Sequence, residues 1–173
     1  RPGAHELPLG IKLSEIIEGY CGGVRDGGRF KACLPGGASS GFLPAKHYHI
    51  NMDFDALKAV GNRLGTGAIM VFDHRTCMVA VTVNLTEFFA RESCGWCTPC
   101  REGFPYLLDL LRRIENGQAD ADVIPMMRTI CRHLWNSYCA FAPGGVGPIE
   151  SLLEYFEDEV RAHIEGKGCP FKT

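Results

Sequence analysis

No stretch of this 173-residue chain approaches the ~20 consecutive apolar residues of a membrane-crossing helix, so direct insertion into a bilayer is not expected. Neither sign of charge dominates. Eighteen Lys and Arg stand against 20 Asp and Glu, a near balance that offers no field for nucleic acid or an anionic membrane surface. GxSxG, HExxH and P-loop signatures are missing. The glycines at Gly36-Gly37 and Gly144–Gly147 do not form GxGxxG after a strand, so no dinucleotide fold is expected within these residues. No secretory leader is visible, and nine cysteines, odd in number and unevenly spread, do not suggest a disulfide framework. They suit reduced intracellular thiols and a cofactor. A second CxxC, which a zinc ribbon normally needs, is also lacking.

What the chain does carry is Ser93-Cys94-Gly95-Trp96-Cys97-Thr98-Pro99-Cys100-Arg101-Glu102-Gly103. Three cysteines at intervals of three put three thiolates on one tight loop, able to face a common centre. C-x2-C-x2-C is an opening for an iron–sulfur site, and a cubane needs a fourth thiolate. Cys139 is favoured because it opens a loop, Tyr138–Gly145, where the backbone can turn toward a cofactor. Cys131, beside Ile130 and Leu134 in a helix, and Cys169, before Pro170 in the tail, remain alternatives. Cys21, Cys33 and Cys77 read as small apolar fillers. Arg91 and Arg101 flank the motif as possible counter-charges. Trp96 reads as a shield against water, and Gly95 and Pro99 as spacers that bring the backbone close. His47 and His49, alternating in a possible strand, and His74, His133 and His163 show no partner pattern.

Hydrophobic residues make up 46% of the chain, enough for a core. Residues 1–75 are glycine-rich and carry short elements: a strand at Glu6–Leu9, a helix at Leu13–Tyr20 stopped by Gly22-Gly23, and a strand at Arg29–Leu34. A loop at Ala38–His47 follows, then a short helix at Met52–Val60 capped by Asp53 and a buried strand at Ala68–Asp73. Residues 76–173 read as four helices: Cys77 to near Ser93, one opened by Pro105 and closed at Asn116-Gly117, Val123–Trp135, and one opened by Pro148 with an apolar stripe through Ile164. The expected class is α+β, a small β-grasp-like domain (1–75) followed by an all-α four-helix bundle (76–173) that carries the cluster.

Glu92–Gly103 resembles the cluster motif of a known family, the NADH-binding flavoprotein subunits of respiratory complex I and of the bacterial NADH:quinone oxidoreductases. Glu6-Leu7-Pro8-Leu9-Gly10, Leu34-Pro35-Gly36-Gly37 and Arg63-Leu64-Gly65-Thr66-Gly67 are similar to that family's middle region. Phe141-Ala142-Pro143-Gly144 and the helix Ile149–Ile164 are similar to its C-terminal end. The resemblance implies that Cys139 completes a [4Fe-4S] site with Cys94, Cys97 and Cys100. It also implies that the chain, which begins at Arg1 and not Met, is a C-terminal piece whose FMN- and NADH-binding domain lies upstream. The implied role is one-electron relay from FMN toward quinone, with no catalytic residue in this part. The implied partners are the other peripheral-arm subunits, especially neighbouring iron–sulfur subunits. The implied location is cytoplasmic, at the inner face of the membrane through the complex. Rival readings are a diaphorase subunit of an NAD-linked hydrogenase or formate dehydrogenase, a zinc-stabilised interaction module, and a thiol redox sensor using Cys94 and Cys97. The Pro35–Ser40 loop is expected either to face the cluster or the flavin domain, or to be a plain surface turn.

Overall fold

The computed structural model describes residues 1–171, so the last two residues of the expected 76–173 unit lie outside the described residues. The protein is α+β and divides into two compact units, Arg1–Arg75 and the remainder from Thr76.

In the first unit, apolar residues of short elements close over one small sheet. Strand β1 (Phe30–Leu34) lies between β2 (Leu43–Pro44) and β3 (Met70–Asp73), antiparallel to both, with Cys33 opposite Leu43 and Val71. Helix α1 (Leu13–Glu15) runs into a π-helical turn, Ile16–Tyr20, and Gly22 and Gly23 end it at φ +79° and +87°. Leu13 and Ile17 turn inward to meet Cys33, Leu43, Met52 and Leu57. Helix α2 (Phe54–Ala59) is capped by Asp53, whose carboxylate accepts from Ala56 N–H at 2.7 Å, a contribution of about 1 kcal/mol.

Several expectations for this unit are corrected. Ala38–His47 is not all loop, since β2 and a 3-10 turn lie within it. Glu6–Leu9 is not a strand. The chain pairs a few residues later, where Gly10 N–H donates to Met52 O and Leu13 N–H to Ile50 O. Strand β3 is an edge, with Met70 and Val71 about two-fifths exposed, because nothing within the sheet pairs beyond it. His47 and His49 do not alternate in a strand. A 3-10 turn, Ala45–His47, occupies the place, and His49 Nδ1 lies 2.9 Å from Ser14 Oγ.

The Pro35–Ser40 loop is no plain surface turn either. Pro35, Gly36, Gly37 and Ser40 are buried, and Ser40 Oγ accepts from Gly36 N–H and donates to Gly37 O. A Cβ on Gly36 would stand 2.7 Å from the carbonyl oxygens of Arg63 and Leu64. The two glycine motifs of this unit therefore meet backbone to backbone, an approach that only glycine permits.

The second unit is helical. Helices α3 (Met78–Glu92), α4 (Thr98–Glu115), α5 (Val123–Leu134) and α6 (Phe141–Tyr155) form a ring in which α3 packs on α4, α4 on α5, α5 on α6 and α6 back on α3. Phe104, Leu107, Leu111, Ile114, Met127, Ile149 and Leu152 are fully buried inside it. A short fifth helix, α7 (Glu157–Glu165), lies against α4 and α6. No helix among the described residues is long and apolar enough to cross a membrane.

Two prolines sit differently from the expectation. Pro105 is inside α4, which starts seven residues earlier at Thr98. Pro148 is inside α6, which starts at Phe141, and the stripe through Ile164 is broken at Phe156 into α6 and α7. Each proline removes one ladder hydrogen bond. The packing of the ring outweighs that loss. Gly145 is central to it: a Cβ there would stand 2.5 Å from Phe104 Cζ and 2.7 Å from Phe89 Cγ. The glycine-rich start of α6 is helical because its backbone packs directly on those rings.

Candidate metal centre

The motif cysteines do not all lie on a loop. Cys97 is the N-cap of α4, with extended backbone at φ −100°, and its carbonyl accepts the first helical bond from Arg101 N–H. Cys100 is then in the first helical turn and buried. Cys94 and Gly95 bridge from α3, with Gly95 at φ +75°, a conformation that strains any residue bearing a Cβ. Helix α4 therefore begins inside the motif, and its first-turn N–H groups and positive dipole end point into the cysteine cluster.

Small polar contacts fix this segment. Ser93 Oγ accepts from Gly95 N–H at 3.3 Å and lies 3.1 Å from Cys100 Sγ, where its O–H can donate once that sulfur is a thiolate. Arg101 donates to Gly95 O at 2.9 Å and pairs with Glu102, so it holds the loop rather than facing free solvent. Arg91 pairs with Glu92 and lies over the Phe88 ring.

Cys139 arrives from the connection between α5 and α6. That connection is pinned at both ends. A Cβ on Gly103 of α4 would collide with Leu134 at the end of α5, and Phe141 at the start of α6 meets Phe89 and Phe104 edge-on at 5.3 and 6.2 Å. Phe89 and Phe104 themselves stack at 5.6 Å. The connection crosses the mouth of the motif. The Tyr138 backbone N–H faces the Cys97 sulfur without reaching a full hydrogen bond, and its proximity is the main reason the Cys97 thiol lies below its ordinary range. The buried Ser137 hydroxyl sits beside the same sulfur without reaching a full hydrogen bond. Cys100 is pushed the other way, first by burial and then by the neighbouring sulfurs of Cys97, Cys139 and Cys94, with Ser93 opposing. Two cysteines, Cys97 and Cys100, are buried, and two, Cys94 and Cys139, are exposed.

Four sulfurs from two distant segments thus share one electrostatic neighbourhood, supplied with N–H and O–H donors. That donor set fits an iron–sulfur cluster, which is net negative when held by four thiolates and is tuned by hydrogen bonds to sulfur. Trp96 does not shield it. The indole is 79% exposed, and Tyr138 on the other segment is 81% exposed. The side chain lies outward because Gly95 reverses the backbone just before it.

The remaining cysteines separate clearly. Cys131 is fully buried in α5, where burial pushes its thiol up to about 12, and Cys33 behaves alike in the first unit. Cys169 and Cys77, read as tail and filler, instead lie together with Glu115 and His163, at the far end of α4 from the motif. His163 is fully buried there. The sequence offers no local signal for this second group, because its members are spread over more than ninety positions.

The family profile of the NADH-ubiquinone oxidoreductase-F iron-sulfur binding region matches residues 80–163. The chain is 46% identical over 166 residues to the F subunit of the NADH-quinone oxidoreductase of Escherichia coli K12, and 43% identical over 172 residues to the F subunit of the same enzyme from Mycobacterium tuberculosis H37Rv. The alignments cover 95% and 99% of this chain but only 37% and 38% of those relatives, so the chain spans well under half their length. Among solved structures, the NAD+-reducing [NiFe]-hydrogenase in its H2-reduced state superposes with a TM-score of 0.80 at 28% identity. That match covers 98% of this chain and 28% of the hydrogenase chain.

Proposed function

Because the chain belongs to the family of NADH-quinone oxidoreductase F subunits, we propose that it is the iron–sulfur electron-relay part of such a protein. In this reading Cys94, Cys97, Cys100 and Cys139 are the four ligands of a [4Fe-4S] cluster. The observation that carries it is the approach of Cys139 to a motif that ends 39 residues earlier, with Tyr138 N–H directed at Cys97. A bound cluster supplies one-electron transfer at a tunable potential.

The chain's own residues hold, tune and expose it. Cys97 and Cys100 anchor the buried side, where Ser93 O–H and Tyr138 N–H stabilise negative sulfur. Cys94 and Cys139 form the exposed rim through which an electron leaves over a short distance. The exposed Trp96 and Tyr138 beside that rim suit contact with a neighbouring subunit. FMN and NADH belong to the intact protein, which delivers electrons to this centre for passage toward quinone. The partners are other subunits of the complex, foremost the neighbouring iron–sulfur subunits, at the cytoplasmic face of the membrane. The hydrogenase likeness favours a second reading, a diaphorase-type subunit. The higher identity to the F subunits places it behind the first.

The relay is tested in the assembled enzyme by Cys139→Ser. NADH oxidation by a small acceptor that takes electrons directly from flavin should continue, while NADH:quinone turnover falls at least tenfold. Equal loss of both activities, or of neither, contradicts a relay role.

A further inference from the structure

We propose that Cys77, Glu115, His163 and Cys169 form a second metal site, a tetrahedral structural zinc(II) site independent of the four-cysteine centre. Their ligand atoms all lie within 4.8 Å of one another. Cys77 Sγ is 3.2 Å from His163 Nε2 and 3.8 Å from Glu115 Oε2, and His163 Nε2 is 3.4 Å from the same carboxylate oxygen. A tetrahedral zinc with bonds of about 2.3 Å to sulfur and about 2.0–2.1 Å to nitrogen and oxygen separates its ligand atoms by about 3.3–3.8 Å. The three edges among Cys77, Glu115 and His163 fall close to that range, and Cys169 Sγ lies within 4.8 Å of all three.

The histidine is held in the form a metal needs. His163 Nδ1 lies 2.6 Å from Glu159 O, and a carbonyl only accepts, so Nδ1 carries the hydrogen. With Nδ1 engaged by that carbonyl, Nε2 is the nitrogen that faces Cys77 and Glu115. An imidazole fixed by a backbone carbonyl through its other nitrogen is the usual outer support of a metal-bound histidine. Glu159 also accepts from Met78 N–H at 3.1 Å, which ties α7 to the start of α3. On the cysteine side, Cys77 Sγ accepts from Ala80 N–H at 3.3 Å as the cap of α3. That bond partly offsets the burial that pushes the Cys77 thiol up to about 12, and a bound cation would favour the thiolate further.

The tail is brought in by direct backbone packing. Gly117, at φ +67°, admits no side chain, because a Cβ there would overlap the Lys167 carbonyl group. Gly168 N–H donates to His163 O at 2.9 Å. Cys169 is thereby delivered to the group. Two thiolates, one imidazole and one carboxylate in a tetrahedron select zinc over calcium or magnesium, which take oxygen ligands. The site joins the start of α3, the last turn of α4, the last turn of α7 and the tail. Along α4 it is about 22 Å from Cys100, at 1.5 Å per residue over the fifteen residues to Glu115, so the two centres share no ligand.

The test uses the purified protein with its cluster in place, grown with zinc. Metal analysis should find about one zinc per chain, and zinc-edge X-ray absorption should fit about two sulfurs at ~2.3 Å and two lighter ligands at ~2.0 Å. Cys77→Ser/Cys169→Ser should lower zinc more than tenfold with iron and sulfide unchanged, and Cys94→Ser should lower iron while zinc stays. Should the double variant fail to fold, Glu115→Gln must lose zinc to a chelator at least tenfold faster than wild type. Absence of zinc beside full iron, a Cys77–Cys169 disulfide found by mass spectrometry, zinc retained in the double variant, or Glu115→Gln matching wild type overturns the proposal.

Discussion

Gly145→Ala is a sharp test of how the second unit is packed, because two general effects oppose each other there. Alanine is the better helix former by about 1 kcal/mol, so at an exposed helical glycine the change stabilises. At Gly145 the new methyl would stand 2.5 Å from Phe104 Cζ, 2.7 Å from Phe89 Cγ and 2.8 Å from Phe104 Cε1. Ordinary carbon contacts lie at about 3.5–4.0 Å, so the rings must retreat by about 1 Å. They cannot do so cheaply. Phe104 is fully buried, Phe89 stacks on it, and Phe141 closes the group edge-on. Overpacking of this kind costs typically about 1–3 kcal/mol, which leaves a net loss of about 1 kcal/mol after the helix gain. For a unit of this size that lowers the thermal midpoint by roughly 4–8 °C. Circular dichroism on the cluster-loaded protein reads the shift. Shortening the ring in Gly145→Ala/Phe104→Leu should cost less than the sum of the single changes, since the collision is relieved. A midpoint raised by Gly145→Ala, as at an exposed glycine, refutes the account of α6 as a helix set directly on the Phe89–Phe104 pair.

Arg101→Gln removes the bond that holds Gly95 O; a loss of about 1 kcal/mol should make iron loss in air roughly fivefold faster while iron content after anaerobic purification stays full. Cys131→Ala should keep all iron and sulfide and cost about 1 kcal/mol of stability, because a small buried thiol is replaced by a smaller apolar group. Reduced iron in that variant would place Cys131 in the centre. Gly36→Ala should loosen the first unit by about 1–3 kcal/mol, seen as faster amide exchange across β1 and residues 63–67, with the iron of the second unit unchanged.

Periodicity made most of the helices legible. The apolar faces of α3, α4, α5 and α7 recur at helical spacing, and Asp53 announces α2 by its capping chemistry. Prolines and glycines misled in two places for one reason. Pro105 and the Pro143–Pro148 stretch oppose a helix by local propensity, but tertiary packing of α4 and α6 decides the outcome. Strand β3 reads as buried because its residues are apolar, and its place at the sheet edge is a matter of topology that no local pattern carries. Three of the candidate cluster cysteines were legible from spacing alone. Cys139 needed the turn chemistry of its surroundings and the family resemblance. Trp96 was misplaced, since composition does not reveal which way a side chain turns after a glycine with positive φ. The group of Cys77, Glu115, His163 and Cys169 was illegible, because only the return of α7 and the tail to the ends of α3 and α4 assembles it.

The relay reading rests on Cys139 closing a four-thiolate iron–sulfur site with Cys94, Cys97 and Cys100. That closure is tested most directly by iron and sulfide analysis with a reduced-state electron paramagnetic resonance spectrum, on wild type and Cys139→Ser purified without oxygen. The account predicts about four irons and four sulfides per chain in wild type, with a reducible cubane signal that is lost or changed in the variant. A wild type that holds no sulfide, or a Cys139→Ser protein whose iron, sulfide and spectrum equal those of wild type, would contradict it.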